Sequence, residues 1–146
     1  MKVKIDNYMT LNFDTNLNIN DIFKYLDKRG YEPVWKSSEV VAFRIGNFTY
    51  FIDCEEDYIR VIMAVEKLPL YTDKFLVMTS GEIMSNRKAV KIYLETDDAP
   101  YYVSFTIEQF VPNMKFFEEK FDQYIRLIRG AWSDWVEYFN RRKNMF

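Results

Sequence analysis

The chain has 146 residues, of which 49% are hydrophobic and 18% are aromatic. Its 20 basic residues nearly balance its 22 acidic residues, which argues against a general polyanion-binding field and against a nucleic-acid-binding protein. The sequence has no histidine and a single cysteine. The commonest general base and metal ligand, the Ser-His and Cys-His catalytic arrangements and any intrachain disulfide are therefore excluded. We expect one folded domain and no catalytic activity.

The N-terminal residues 1–7 lack the apolar stretch of a signal peptide. The sequence has no apolar run of about eighteen residues or more, so no segment is expected to span a membrane. We therefore expect a cytoplasmic protein. Apolar and polar residues alternate in residues 1–17, which predicts an N-terminal extended segment that either pairs with a sheet edge or remains loose. The remaining residues, 18–146, are expected to form a single α+β domain.

A short first helix is predicted at about residues 20–29. Asn18 and Asn20 are favourable N-cap residues, and Gly30 is a typical residue at which a helix ends. The predicted apolar face consists of Ile19, Ile22, Phe23 and Leu26.

Three strands are predicted next, at residues 40–45, 48–52 and 58–66. Gly46 and Asn47 form a turn pair between the first two strands, which is a hairpin signal. The polar residues 53–57 are interpreted as a second turn. These strands predict a three-stranded antiparallel meander.

A second helix, beginning at Thr72 or Asp73 and ending near Arg87, is followed by a second hairpin. The predicted buried face of the helix consists of Leu76, Val77, Ser80, Ile83 and Met84, and Gly81 is expected to allow close packing. Alternating residues then predict strands at 90–95 and 101–108, with residues 96–100 as their turn.

A long terminal helix is predicted over residues 113–143, with Asn113 as its N-cap and Gly130 as a position for bending or close approach. Its apolar residues recur at three- and four-residue steps. We expect Phe117, Phe121, Ile125 and Ile128 to belong to the core. Two interpretations remain open for Trp132, Trp135 and Phe139: core residues, or residues in contact with a partner or a second copy.

The predicted order is α-β-β-β-α-β-β-α, an α+β fold with one antiparallel sheet packed against helices. A helix that runs into a hairpin, with Asn86 near the helix end and Asp97-Asp98 in the turn, resembles the YbjN-like family of proposed bacterial sensory-transduction regulators and the type III secretion chaperone fold. The resemblance covers residues 18–142 and depends on element order and apolar pattern. The family's usual glycine in the turn is missing, and Ala99-Pro100 lie near it. The resemblance implies a non-enzymatic, often dimeric, cytoplasmic domain that binds another polypeptide or supports regulation.

Several groups of residues are candidate metal-binding, reactive or nucleic-acid-binding sites. The acidic residues around Cys54 (Asp53, Glu55, Glu56 and Asp57) could bind a hard cation, but no calcium-loop pattern is present, and a solvated turn is the favoured interpretation. Asp97-Asp98 are interpreted in the same way. The acidic neighbours of Cys54 should disfavour its thiolate. Core packing and an amphipathic rim explain the strand tyrosines better than base stacking does: Tyr50, Tyr58, Tyr93, Tyr101 and Tyr102.

The function predicted from these features is a non-enzymatic interaction or regulatory module that acts without a cofactor or a metal. Its partner would be another polypeptide or a second copy, bound through apolar side chains and a strand edge, and not a nucleic acid or a membrane. The alternative is a small-ligand-binding or enzymatic α+β domain with a pocket between sheet and helices. In that case Glu95 and Glu108 could serve as acid and base if they converged.

Overall fold

The computed structural model of the protein describes residues 17–66, 73–87, 89–95 and 102–142. Within them, three helices and six strands follow the order α-β-β-β-β-α-β-β-α. The predicted α+β class is confirmed, and the predicted order gains one short strand before the meander. The elements are α1 Ile19–Lys28, β1 Val34–Trp35, β2 Val40–Ile45, β3 Phe48–Glu55, β4 Tyr58–Glu66, α2 Asp73–Asn86, β5 Lys91–Glu95, β6 Tyr102–Phe110 and α3 Met114–Arg142.

All six strands lie in one sheet in the order β1-β2-β3-β4-β6-β5, and every neighbouring pair is antiparallel. The predicted meander corresponds to β2, β3 and β4, and the predicted second hairpin pairs β5 with β6. Because β6 lies beside β4, β5 is placed at an edge of the sheet. The predicted turn 96–100 and most of the predicted extended segment 1–17 lie outside the described residues.

The turn after β3 is shorter than the sequence predicted. Residues 53–57 were interpreted as a turn, but β3 continues to Glu55 and only Glu56 and Asp57 connect it to β4. The reason is a cross-strand pair: Asp53 lies opposite Arg60 and forms an ion pair with it, so these polar residues stabilise the ladder. Glu56 has a positive φ of 55°, an uncommon conformation for a residue with a side chain.

Helix α1 begins and ends as its sequence predicts. The Asp21 backbone N–H donates to Asn18 Oδ1 at 2.9 Å, which satisfies one of the unpaired donors at the helix start. At the other end, Gly30 has a φ of +81°, a conformation that glycine adopts without steric cost. Ile22 and Leu26 are fully buried, and so α1 is fixed to the core by one face.

Helix α2 differs from its prediction at two positions. Val77 was expected on the buried face but is 60% exposed, because Leu76, Ser80 and Ile83 form the contacts with the core and Val77 lies beyond them. Gly81 was expected to permit close packing, but no described residue outside its own helix comes within 4 Å of the position that a Cβ would occupy.

Helix α3 starts after Asn113, whose Oδ1 accepts a hydrogen bond from the Phe116 N–H at 2.9 Å. The helix has 29 residues, and its predicted core positions are confirmed: Phe117, Phe121, Ile125 and Ile128 are buried. Its side chains join those of α1, α2 and one face of the sheet in a single core. Among the described residues, no helix combines the length and apolar composition needed to cross a bilayer.

Candidate interaction surface

The two faces of the sheet differ in composition. On β4, the odd-numbered residues Ile59, Val61 and Met63 are fully buried against the helices, and we call this side the inner face. The even-numbered residues point to the opposite side, the outer face, which no described helix covers. The outer face of β3, β4, β6 and β5 includes the following residues: Thr49, Phe51, Asp53, Glu55, Tyr58, Arg60, Ile62, Ala64, Glu66, Tyr102, Ser104, Thr106, Glu108, Phe110, Lys91 and Tyr93.

The strand register arranges the outer face in rows that run across the strands. Phe51 lies opposite Ile62, and Ile62 lies opposite Thr106 on β6. One step along the strands, the facing residues are smaller: Thr49, Ala64 and Ser104. A row with two large side chains therefore lies directly beside a row of small ones.

The row of small residues forms the floor of an open groove. The Phe51 and Ile62 side chains line one side of it, and Glu66 and Tyr102 line the other. Ser104 on the floor is nearly inaccessible, while Phe51 and Ile62 are half-buried. The groove thus offers an apolar wall, a polar wall and a floor with hydroxyl groups.

A polar row lies on the far side of Phe51 and Ile62. Arg60 Nε donates to Asp53 Oδ2 at 2.8 Å, and the Arg60 side chain is 47% exposed. The same row continues to Glu108 on β6.

Glu108 is the centre of a small hydrogen-bond network on this face. Its Oε2 accepts hydrogen bonds from Lys91 Nζ at 3.0 Å and from the Tyr58 hydroxyl at 3.1 Å, and its Oε1 accepts one from the Tyr93 hydroxyl at 3.4 Å. The hydrogen bond from Lys91 is the largest of the effects that hold the pKa of Glu108 below its usual value. The carboxylate is consequently ionised at neutral pH and can accept hydrogen bonds from all three side chains.

Large side chains are exposed around the groove and the polar row. Phe110, at the end of β6, is 69% exposed and contacts the Tyr58 ring edge-on at 5.1 Å. Tyr93 and Tyr102 are also exposed. Exposed aromatic groups beside fixed charges are typical of protein-binding surfaces, where aromatic residues serve as anchors.

The edges of the sheet offer less than the face. Strand β1 has only two residues. At the β5 edge, the Ile92 backbone N–H donates to Met84 Sδ at 3.2 Å. A polypeptide that adds a strand beside β5 would have to displace this contact, so the predicted edge pairing is disfavoured at Ile92.

The aromatic residues predicted as partner contacts lie at the other side of the molecule. Trp135 is 2% exposed and stacks between Trp132 and Phe139, with ring centroids at 5.9 and 6.2 Å. Trp132 is half-buried and meets Phe48 and Phe105 edge-on. These residues pack beneath the inner face of the sheet, and a role for them in partner contact remains a prediction.

The outer face was not predicted from the sequence. The signal was present in β4, where Ile62 interrupts the otherwise polar or small residues of the even-numbered positions, Tyr58, Arg60, Ala64 and Glu66. An apolar residue on a solvent face is common, so this signal becomes specific only when Phe51 is known to lie opposite Ile62.

The structure also places the acidic residues around Cys54, whereas Asp97, Asp98 and Tyr101 lie outside the described residues. Asp53 is bound to Arg60, and among the described residues no group of three or more His, Cys, Asp and Glu side chains could hold a metal ion. Burial, followed by the charges of Asp53 and Asp57, raises the pKa of the Cys54 thiol to about 11, which disfavours the thiolate as expected.

Large side chains of the described residues occupy the space between the sheet and the helices. Phe43, Tyr50, Phe105, Phe117 and Phe121 are all fully buried there. Burial raises the pKa of Tyr50 to about 12.

The two residues considered as acid and base lie far apart in the sheet. Glu95 pairs with Tyr102 in the strand register, and Glu108 lies six residues farther along β6, roughly 20 Å away along the strand.

Comparisons with known proteins identify a shared fold. No family model matches the chain, and no curated protein matches it. Among solved structures, the chain is similar to YbjN from E. coli, which is described provisionally as a transcription regulator. The two chains are 16% identical and have a TM-score of 0.65, with 87% of this chain and 94% of that chain covered. At this identity the similarity shows a common fold, in agreement with the resemblance noted in the sequence.

Proposed function

We propose that this protein is a regulatory or interaction module that binds a polypeptide on the outer face of its sheet and performs no bond-making chemistry. The observation that carries the proposal is the pair of adjacent rows on the face that no described helix covers, where Phe51 and Ile62 lie beside the small residues Thr49, Ala64 and Ser104. An incoming side chain could enter the space above the small residues and contact the side chains of Phe51 and Ile62.

The energetics of the surface suit a reversible contact. Complete burial of a side chain such as Phe51 or Ile62 contributes about 1.5–3 kcal/mol relative to leaving it exposed, and both are only half-buried in the monomer. Exposed Phe110 and Tyr102 would add contact area, and the Asp53, Arg60 and Glu108 row would lie at the polar rim. The surface therefore combines an apolar centre with charges that select the orientation of a partner.

The similarity to YbjN supports the regulatory part of the proposal only at the level of fold. The E. coli protein is described provisionally as a transcription regulator, and a chain of the same fold could regulate by binding another polypeptide. For this chain, binding is the mechanism through which regulation would occur. The near balance of 20 basic and 22 acidic residues favours a polypeptide over DNA as its direct ligand.

The small-ligand or enzymatic alternative is the second candidate. It requires a pocket between the sheet and the helices, but that layer is occupied by Phe43, Tyr50 and Phe105. A groove between α1 and the start of α3, lined by Lys24, Lys28 and Glu118 among others, is the better place for such a ligand. Saturable binding of a small molecule that protects the backbone amides of α1 from hydrogen exchange would favour this alternative.

A pair of variants with the same added charge tests the proposal. Ile62→Arg places a cation in the centre of the outer face, whereas Gln123→Arg places one on an exposed position of α3. Both proteins, shown by circular dichroism to be folded, would be used as bait in native lysate, followed by mass spectrometry. We expect Ile62→Arg to lose the polypeptides that wild type and Gln123→Arg retain. Retention of the same polypeptides by folded Ile62→Arg would contradict the proposal.

A further inference from the structure

We infer that the partner of the outer face is a second copy of this chain, bound face to face. The two-fold axis between the copies would pass over β4 between Ile62 and Ala64. The inference rests on the proposed function, because it takes the outer face as the binding surface and then identifies its occupant. It follows from the order of the side chains along one strand.

The outward residues of β4 are Arg60, Ile62, Ala64 and Glu66, and the strand thus presents a cation, a large apolar group, a small group and an anion in sequence. A two-fold axis that lies between the copies and perpendicular to β4 reverses this order in the second copy. Arg60 then faces Glu66, and Ile62 faces Ala64. Each contact occurs twice, which is the property of an isologous interface.

The neighbouring strand β3 repeats the match. The large Phe51 would face the small Thr49 of the second copy, since the same reversal exchanges the two rows. On β6, Thr106 and Ser104 are only 2% and 4% exposed, so this strand adds little to the contact. A row of large side chains thus enters a row of small ones, in both directions.

The charged residues at the two ends of β4's outward row, Arg60 and Glu66, can form the ion pairs that the dimer requires. Arg60 uses two of its guanidinium donors on Asp53, which leaves three of the five donors that the group carries. Its side chain remains 47% exposed. Glu66 is exposed at the other end of the strand. A second carboxylate can therefore reach Arg60 without breaking the first ion pair.

The area is appropriate for a reversible dimer. The four strands of the outer face, β3, β4, β6 and β5, span roughly 19 Å at about 4.8 Å per strand, and the seven residues from Arg60 to Glu66 span roughly 24 Å. The patch is then roughly 460 Å² per copy, below the typical 800 Å² or so per partner of a stable complex. Because packed sheets cross at about −30°, contacts near β4 would be retained and those at the sheet edges would be weaker. We expect dissociation in the micromolar range.

Charge exchange gives a test that a purely structural role would not satisfy. Arg60→Glu alone places two carboxylates opposite each other twice, and Glu66→Arg alone places two guanidinium groups opposite each other twice. Each variant should raise the dissociation constant of the dimer about tenfold or more. When the two variants are mixed, Glu faces Arg at one contact and Glu66 faces Arg60 at the other, so a mixed dimer should form.

Sedimentation equilibrium at micromolar concentrations measures these states, with Gln123→Arg as the charge control and circular dichroism as the check on folding. Arg60→Ala removes the guanidinium group without placing a second carboxylate beside Asp53. This variant should raise the dissociation constant of the dimer severalfold. A wild-type dimer, weaker single variants and a restored mixed dimer would support the inference. A wild-type monomer, or a dimer that none of these variants weakens, would overturn it. The proposed function would then still be judged by the polypeptides lost from Ile62→Arg.

Discussion

The guanidinium group of Arg87 lies against Gly130, so close that a Cβ at residue 130 would come within 2.6 Å of Arg87 Nη1. The absence of a side chain lets Arg87, which follows α2, reach Asp134 on α3 and form an ion pair. The prediction that Gly130 permits a close approach is thereby explained by a particular contact. It joins the two helices beneath the sheet.

Substitution of Gly130 should uncouple Arg87 from Asp134. The side chains of both partners are about one-third exposed, so solvent screening limits their interaction to about 0.5–1 kcal/mol. Gly130→Ala would displace the guanidinium group but gain about 1 kcal/mol in helix propensity, so its own effect on stability should be small. A double-mutant cycle with Arg87→Ala and Asp134→Ala, measured by urea unfolding, should give coupling in the wild type and almost none in Gly130→Ala. Equal coupling in both backgrounds would refute the contact.

Removal of the Trp135 side chain should destabilise the monomer strongly. Trp135 is 2% exposed and stacks on Trp132 and Phe139, so Trp135→Ala should lower the free energy of unfolding by about 3–5 kcal/mol. Trp132→Ala, at a half-buried position, should cost less. Urea unfolding monitored by circular dichroism gives both values, and a loss below about 1 kcal/mol for Trp135→Ala would show that the ring is not part of the core.

The Cys54 thiol should react slowly. Burial is the main cause that raises its pKa from 9.0 to about 11, so little thiolate exists at neutral pH. Alkylation by iodoacetamide at pH 8 should be about tenfold slower than that of an unfolded control, because the higher nucleophilicity of the rare thiolate partly compensates its low population. Since the folded pKa is raised, the thiol's contribution to stability is present below pH 9 and is lost between about pH 9 and 11. A reaction rate that levels off near pH 9, as in free cysteine, would contradict this environment, because a thiol with a pKa of about 11 should react faster with each rise in pH up to that value.

Glu108 should contribute an acid-sensitive part of the stability. Its pKa is lowered from 4.5, mainly by the hydrogen bond from Lys91, so its contribution is present above pH 4.5 and is lost as the pH falls below that value. Lys91 is more than half exposed, so solvent screening keeps this contribution small. Glu108→Gln should therefore be slightly less stable at pH 7 and should lose less stability than wild type between pH 5 and pH 3. Parallel acid profiles for the two proteins would show that the network has no effect on folding.

The elements of the inner face could be predicted from the sequence because their signals are local. The alternation in residues 58–66 and the three- and four-residue steps of Phe117, Phe121 and Ile128 each identify a buried side without knowledge of any partner strand. The caps at Asn18 and Asn113 are local for the same reason. Strand β1 was not predicted, since two residues, Val34 and Trp35, are too few to show a period.

The outer face could not be predicted because it exists only across strands. Its rows depend on the two-residue turns that place Ile45 opposite Phe48 and Glu55 opposite Tyr58, and a shift by one residue would exchange the faces. Val77 shows a related limit: its helical spacing was suitable for burial, but the packing of α2 leaves it exposed. The sequence contains the order Arg60, Ile62, Ala64 and Glu66, but only the strand register shows which residues of β3 and β6 lie beside them on the outer face.

Disulfide trapping across the proposed axis tests the central claim most directly. In a Cys54→Ser background, one chain would carry Ile62→Cys and the other Ala64→Cys, with Gln123→Cys as the matched control on α3. Mild oxidation of the mixture, followed by non-reducing electrophoresis, should give a mixed 62–64 disulfide dimer faster than either chain alone and much faster than the control. Equal rates for all three positions, or a dimer trapped through residue 123 only, would show that the outer face is not where two copies meet.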